Sequence, residues 1–146
     1  MVLAQRNEAH LVKLAMPGMS LIDDYCFSPP SCMTREERRD FLSMRKIWRL
    51  RASDLDTQWD DPVLFPGKAS DALLAKFPPT IINEVEFDMF ITETTRLANR
   101  LRRAGRLLEF VVLPGAKNGS NLNPDFRCFA VWQDTIKLSI EEYLHK

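Results

Sequence analysis

The sequence predicts an α/β fold of about three parallel strands with flanking helices. Two observations carry this. Short runs rich in β-branched and aliphatic residues alternate along the chain with amphipathic helical patterns, and such alternation means parallel strands joined by helical crossovers. Punctuating residues also fall at the joints: Pro17-Gly18, Pro78-Pro79, Gly105 and Pro114-Gly115. Three strands are legible, at 11–16, 80–85 and 107–113. A sheet that small needs cover on both faces.

Val2 to Ala9 reads as a short helical remnant. Leu11 to Met16, L-V-K-L-A-M, reads as a short buried strand stopped by Pro17-Gly18. A loop over Asp23 to Met33 follows. Thr34-Arg35-Glu36-Glu37 is a capping box, in which Thr34 accepts from the amide three residues on and Glu37 reaches back. The helix it opens sets Phe41, Met44, Ile47 and Trp48 on one side and is expected to end near Arg51. Ala52 to Lys68 is a polar loop, and Ala72 to Lys76 a short turn of helix.

The second half is more strongly patterned. Pro78-Pro79 enforces an extended approach to Thr80–Val85, a strand by composition. Ile91 to Ala104 is amphipathic, with Ile91, Leu97, Ala98, Leu101 and Ala104 at helical spacing. Arg100, Arg102 and Arg103 complement its carboxyl end, and Gly105 stands where a left-handed residue ends a helix. Leu107 to Leu113, L-L-E-F-V-V-L, is the next strand, with a loop expected from Pro114 to Asn123. Asn123-Pro124-Asp125 then starts a last helix, running to about Leu144 with Phe129, Trp132, Ile136, Ile140 and Tyr143 along one face.

Composition sets limits on function. The 146 residues suffice for one domain. Lys+Arg and Asp+Glu both number 20, so no strong electrostatic partner such as a nucleic acid is expected. Three cysteines, Cys26, Cys32 and Cys128, form no C-x-x-C pair, and the two histidines, His10 and His145, lie at opposite ends; neither a metal site nor a cofactor is expected. No apolar run approaches the roughly 20 residues of a membrane span, and the amino terminus lacks the pattern of a signal peptide. The expectation is a cytoplasmic protein.

One stretch carries chemistry. Phe77 to Asp88 reads F-P-P-T-I-I-N-E-V-E-F-D; a helical pattern ending in R-R-A-G follows, then L-E-F-V-V-L-P-G-A-K-N-G up to Gly119. In order and spacing this resembles the last third of the α/β-hydrolase fold, specifically the hormone-sensitive-lipase-like carboxylesterases. That family has a strand ending in an acid, a helix, a second strand, and a P-G-x-x-H-G turn bearing the catalytic histidine. The resemblance covers nearly the whole chain, from within the helix after the family's nucleophile to the family's carboxyl terminus. It implies one partial α/β-hydrolase domain over 1–146, with 25–68 in a variable cap or connecting region and 77–146 the best match.

The resemblance puts Asp88 at the family's acid position and Glu93 where an acidic residue opens the following helix. Read locally, Asp88 is equally a helix cap. Asn118 stands at the histidine position, and Asn118-Gly119 also reads as an ordinary turn. A carboxamide hydrogen-bonds but cannot shuttle a proton near neutral pH, and Lys117 beside it is a poor substitute base. Ser20, in G-M-S-L-I, is the nearest approach to the G-x-S-x-G nucleophile elbow, but Ile22 replaces the closing glycine. The same segment resembles the strand after the nucleophile helix, with Asp23-Asp24 as the turn beyond. The family's H-G-G-G oxyanion motif is absent from the sequence. His10 precedes a strand, on the wrong side for a base, and His145 suits the carboxyl end of a helix.

The resemblance therefore implies an ester-hydrolase scaffold without a complete triad, inactive alone: a truncated or degenerate pseudoenzyme. The alternative is a non-catalytic interaction protein, homodimeric through the Leu107–Leu113 strand. A small acyl ester becomes a substrate only if a separate half completes the site.

Overall fold

The computed structural model describes residues 1–17, 34–36, 38–39, 42–43, 60–63, 65–88, 90–117 and 127–144. Helix α1 (Val2–Gln5) is followed by a 3-10 turn at Ala9–Leu11. A second 3-10 turn, Pro66–Lys68, leads into α2 (Asp71–Leu74), whose amino end Ser70 caps by accepting from the Leu73 amide. Strand β1 (Thr80–Phe87), helix α3 (Ile91–Arg103) and strand β2 (Leu107–Lys117) form one crossover unit, and α4 (Arg127–Leu144) closes the described chain. Within 34–43, the described residues other than Thr34 are helical, and the Arg38 amide donates to the Thr34 carbonyl, as expected of a helix starting there. Glu37, Phe41, Met44, Ile47 and Trp48 lie outside the described residues.

β1 and β2 are parallel, pairing Ile82 with Phe110 and Val85 with Leu113. The strand expected at 11–16 is reduced to a single bridge between Ala15 and Thr80. The Ala15 amide donates to the Pro79 carbonyl, the Ile81 amide to the Ala15 carbonyl and the Asn83 amide to the Pro17 carbonyl. The segment thus lies along β1 on the side away from β2. It does not extend earlier because Ala9–Leu11 has coiled into the 3-10 turn.

The core follows from strand alternation. Ile82 sits among Ala69, Leu74, Leu97, Ala98 and Leu101, so its face of β1 meets α3. Val85 packs with Leu113 and Ala116, and Trp132 of α4 covers them. Every residue from Thr80 to Val85 is buried, the profile of a parallel strand sealed on both faces. In β2 only Leu113 and Ala116 are buried.

α3 ends as its sequence predicts. Gly105 has φ +66°, its amide donates to the Arg102 carbonyl and the Arg106 amide donates to the Leu101 carbonyl. These two bonds are a Schellman stop, which satisfies carbonyls that the helix end would otherwise leave open. Arg100 is not merely a solvated charge at that terminus. Its guanidinium donates to the Gly67 and Ala69 carbonyls and to Asp71 Oδ1 (2.7 Å), fastening the 3-10 turn and α2 onto α3. This contact holds the carboxyl of Asp71 below its ordinary range, through the hydrogen bond and charge of Arg100.

β2 runs past the expected stop at Pro114-Gly115. Opposite Val85–Phe87 it spans Leu113–Lys117, so two extra residues are taken up in a bulge. Gly115 supplies φ +70°, and its amide donates to Glu86 Oε2 at 2.7 Å. Proline belongs at a sheet edge or a bulge, and among the described residues it has both here.

Candidate functional site

Ligand sites in parallel sheets gather beyond the carboxyl ends of the strands, where loops from neighbouring strands meet. Asp88 occupies such a place, being the first residue after β1. It is 5% exposed, and its Oδ1 accepts from the Phe90 amide at 2.7 Å. The Ile91 amide in turn approaches the Asp88 carbonyl at 3.3 Å. The carboxylate is therefore held by the turn that leads into α3. Phe90 precedes the helix without a side-chain cap, and the Asp88 bond to the Phe90 amide closes a turn just before the helix, where a cap on a helical amide was the local expectation.

The register sets which strand end lies beside this acid. Phe87 and Lys117 are paired across the two strands, so β1 and β2 end side by side. The residue after Lys117 is Asn118, which lies outside the described residues. The Glu86–Gly115 bond clasps the two strands one step before this point. Glu86 carries no site signal in the sequence. Nothing in E-V-E-F-D separates a clasping acid from any exposed strand acid, and only the bulge opposite gives it a donor.

Glu93 is buried, at 5% exposure, in the first turn of α3, alongside buried Thr94. Glu84 is buried on the face of β1 that meets α3, by its alternation with Ile82. The carboxyl half of the β1–α3 contact is therefore polar, and the amino half is aliphatic.

The other named candidates separate into two groups. Ser20, His145, Cys26 and Cys32 lie outside the described residues. His10 lies beside Pro78 and Pro79, at the amino end of β1. An eight-residue strand, about 25 Å long at its usual rise, separates it from Asp88, so the two cannot share a proton path. Among the described residues, no helix is long and apolar enough to cross a membrane.

Comparison with known proteins agrees with this geometry. Residues 3–119 match the alpha/beta hydrolase fold family, and the chain belongs to it. Among solved structures it is similar to carboxyl esterase 2 of the mycorrhizal fungus Tuber melanosporum, with a TM-score of 0.73 and 24% identity over 99% of this chain and 48% of that one. It is also similar to brefeldin A esterase, a bacterial homologue of human hormone sensitive lipase, with a TM-score of 0.68 and 18% identity over 97% of this chain and 40% of that one. At these identities the likeness is one of fold, and the chain spans less than half the length of either enzyme. No significant match was found among curated proteins.

Proposed function

We propose that this member of the α/β-hydrolase family is a hormone-sensitive-lipase-like carboxylic-ester hydrolase scaffold that retains the acid position and does not turn over esters by itself. The observation that carries the reading is Asp88: a buried acid just past a parallel strand whose first six residues are buried, with one carboxylate oxygen fixed by a backbone amide. It stands beside a strand end whose next residue is an asparagine. A triad acid orients an imidazole and stabilises its protonated form. The resemblance gives position 118 to the imidazole, and the carboxamide there is no proton acceptor for that acid to orient. The 146 residues also contain neither a G-x-S-x-G elbow nor an H-G-G-G donor set. Cleavage of a small acyl ester would need a separate half to bring the serine and oxyanion donors, and a base besides.

The test is hydrolysis of p-nitrophenyl acetate and butyrate by the purified chain. The expected result is no turnover above buffer, unchanged in Asp88→Ala. Turnover that disappears in Asp88→Ala would overturn the reading.

A second reading, a homodimer through the Leu107–Leu113 strand, rests on the condition of β2. Among the described residues β2 pairs on one side only, and Leu108 and Val112 are 40% and 39% exposed. An unpaired edge with apolar side chains favours association. Sedimentation is expected to show a concentration-dependent dimer that Val112→Lys abolishes; a strict monomer at high concentration removes this reading.

A further inference from the structure

A second concavity lies at the opposite end of β1 from Asp88, between the Ala9–Leu11 turn and the Lys76–Pro79 approach to the strand. Its lining includes three cationic side chains, Lys13, Lys76 and Arg106, with His10 beside them, and no carboxylate among the described residues. The chain as a whole is neutral, so this is a local accumulation of one sign of charge. Cations gathered in a concavity with low-dielectric walls concentrate anions there.

The arrangement is partly fixed before any ligand arrives. Lys76 Nζ donates to Asn7 Oδ1 at 2.8 Å, and His10 Nδ1 donates to the Asn7 carbonyl at 3.2 Å. Arg106 Nε donates to the Ala75 carbonyl at 2.7 Å, which anchors the guanidinium and leaves its two outer nitrogens as donors. Lys13 lines the same cleft with no hydrogen-bond or ion-pair partner among the described residues. Half-buried Phe77, Pro78 and Pro79 give the cleft an apolar wall.

We propose that this cleft binds a small phosphate-bearing molecule with an aromatic or apolar body. The phosphate oxygens would accept from Lys13, Lys76 and Arg106, and the body would lie along Phe77 and the two prolines. Charge-assisted bonds from lysine and arginine are the ordinary means of holding phosphate. The gathering of these cations in one concavity beside half-buried Phe77 favours a compact ligand over an extended polyanion, which would need a basic stripe across the surface. The proposal does not depend on Asp88 or on any hydrolytic role.

Titration of the full chain with phenyl phosphate, inorganic phosphate and phenol at constant ionic strength tests it, followed by calorimetry and by backbone amide shifts. Phenyl phosphate is expected to saturate and to bind several-fold more tightly than inorganic phosphate, with shifts confined to residues 7–13, 75–80 and 106. Lys13→Glu is expected to weaken binding by about tenfold or more, and Lys13→Arg to retain it. Asp88→Ala is expected to bind as the parent does. Absence of saturation, shifts scattered over the surface, or unchanged affinity in Lys13→Glu would each overturn the proposal. Binding to phosphatidylserine vesicles without binding to phenyl phosphate would also overturn it, since that pattern belongs to a membrane surface.

Discussion

β1 and β2 are hydrogen-bonded neighbours in one sheet, yet they are held in place by different means. β1 is buried for its first six residues, with α3 on one face and α4 contacts on the other. β2 is exposed over much of its length, bulges at Pro114-Gly115 and is clasped near its end by one side chain, Glu86. β1 is sealed through Val85, and Asp88 just beyond it is buried as well, with its Oδ1 held by the Phe90 amide. The end of β2 at Lys117 is held instead by the clasp. The two strand ends therefore differ in how firmly the fold specifies them.

Truncations on the same face of the two strands make the strongest contrast. Ile82→Ala empties a fully buried place and is expected to cost about 3 kcal/mol. Val112→Ala, at a 39% exposed position, is expected to cost only a few tenths, about 0.5 kcal/mol. Urea denaturation midpoints measure both, and equal losses would break the distinction between the strands. Glu86→Gln tests the clasp more gently. It replaces a charge-assisted bond to the Gly115 amide and is expected to cost about 1 kcal/mol or less. Faster hydrogen exchange should be confined to Gly115 and its neighbours in β2, with β1 amides unchanged; acceleration in both strands would mean that they open together.

The smallest effect concerns neither strand directly. Asp71 has its pKa lowered by Arg100, so the ionised carboxylate favours the folded state. That contribution is fully present above the ordinary Asp value and is lost as pH falls through the lowered one. Asp71 is exposed and solvent screens the pair, so the effect is modest. Asp71→Asn should lower the denaturation midpoint slightly at pH 7, with the gap closing below about pH 4. A gap that widens in acid would contradict the assignment.

Much of this was legible in residues 77–113. β1, α3 and the glycine stop follow from prolines, helical spacing and Gly105, because each is a local signal that the tertiary structure reinforces. The place of Asp88 between a strand and a helix was legible as well. Two features were not. L-V-K-L-A-M reads as a strand, but only Ala15 forms a bridge, since a short run carries little propensity of its own and the preceding residues coil. Pro114-Gly115 reads as a strand end, because that pair normally stops a ladder; its tolerance depends on Glu86, far off in sequence and without a distinguishing neighbour. The basic cleft was equally hidden, since its members come from positions 10, 13, 76 and 106 and meet only when the chain before β1 is folded back.

The β1–α3–β2 crossover has a kinetic consequence. Its strand pairing, its helix and its glycine stop all lie within Thr80–Lys117. Short separations between contacting residues keep the entropy of loop closure low, and such units form early. The unit can assemble before α1 or the segment beside Ala15 has docked, giving those pieces a preformed surface to join. Asp88 lies within this span, so the acid is set in place with the unit itself, ahead of the pieces that dock later.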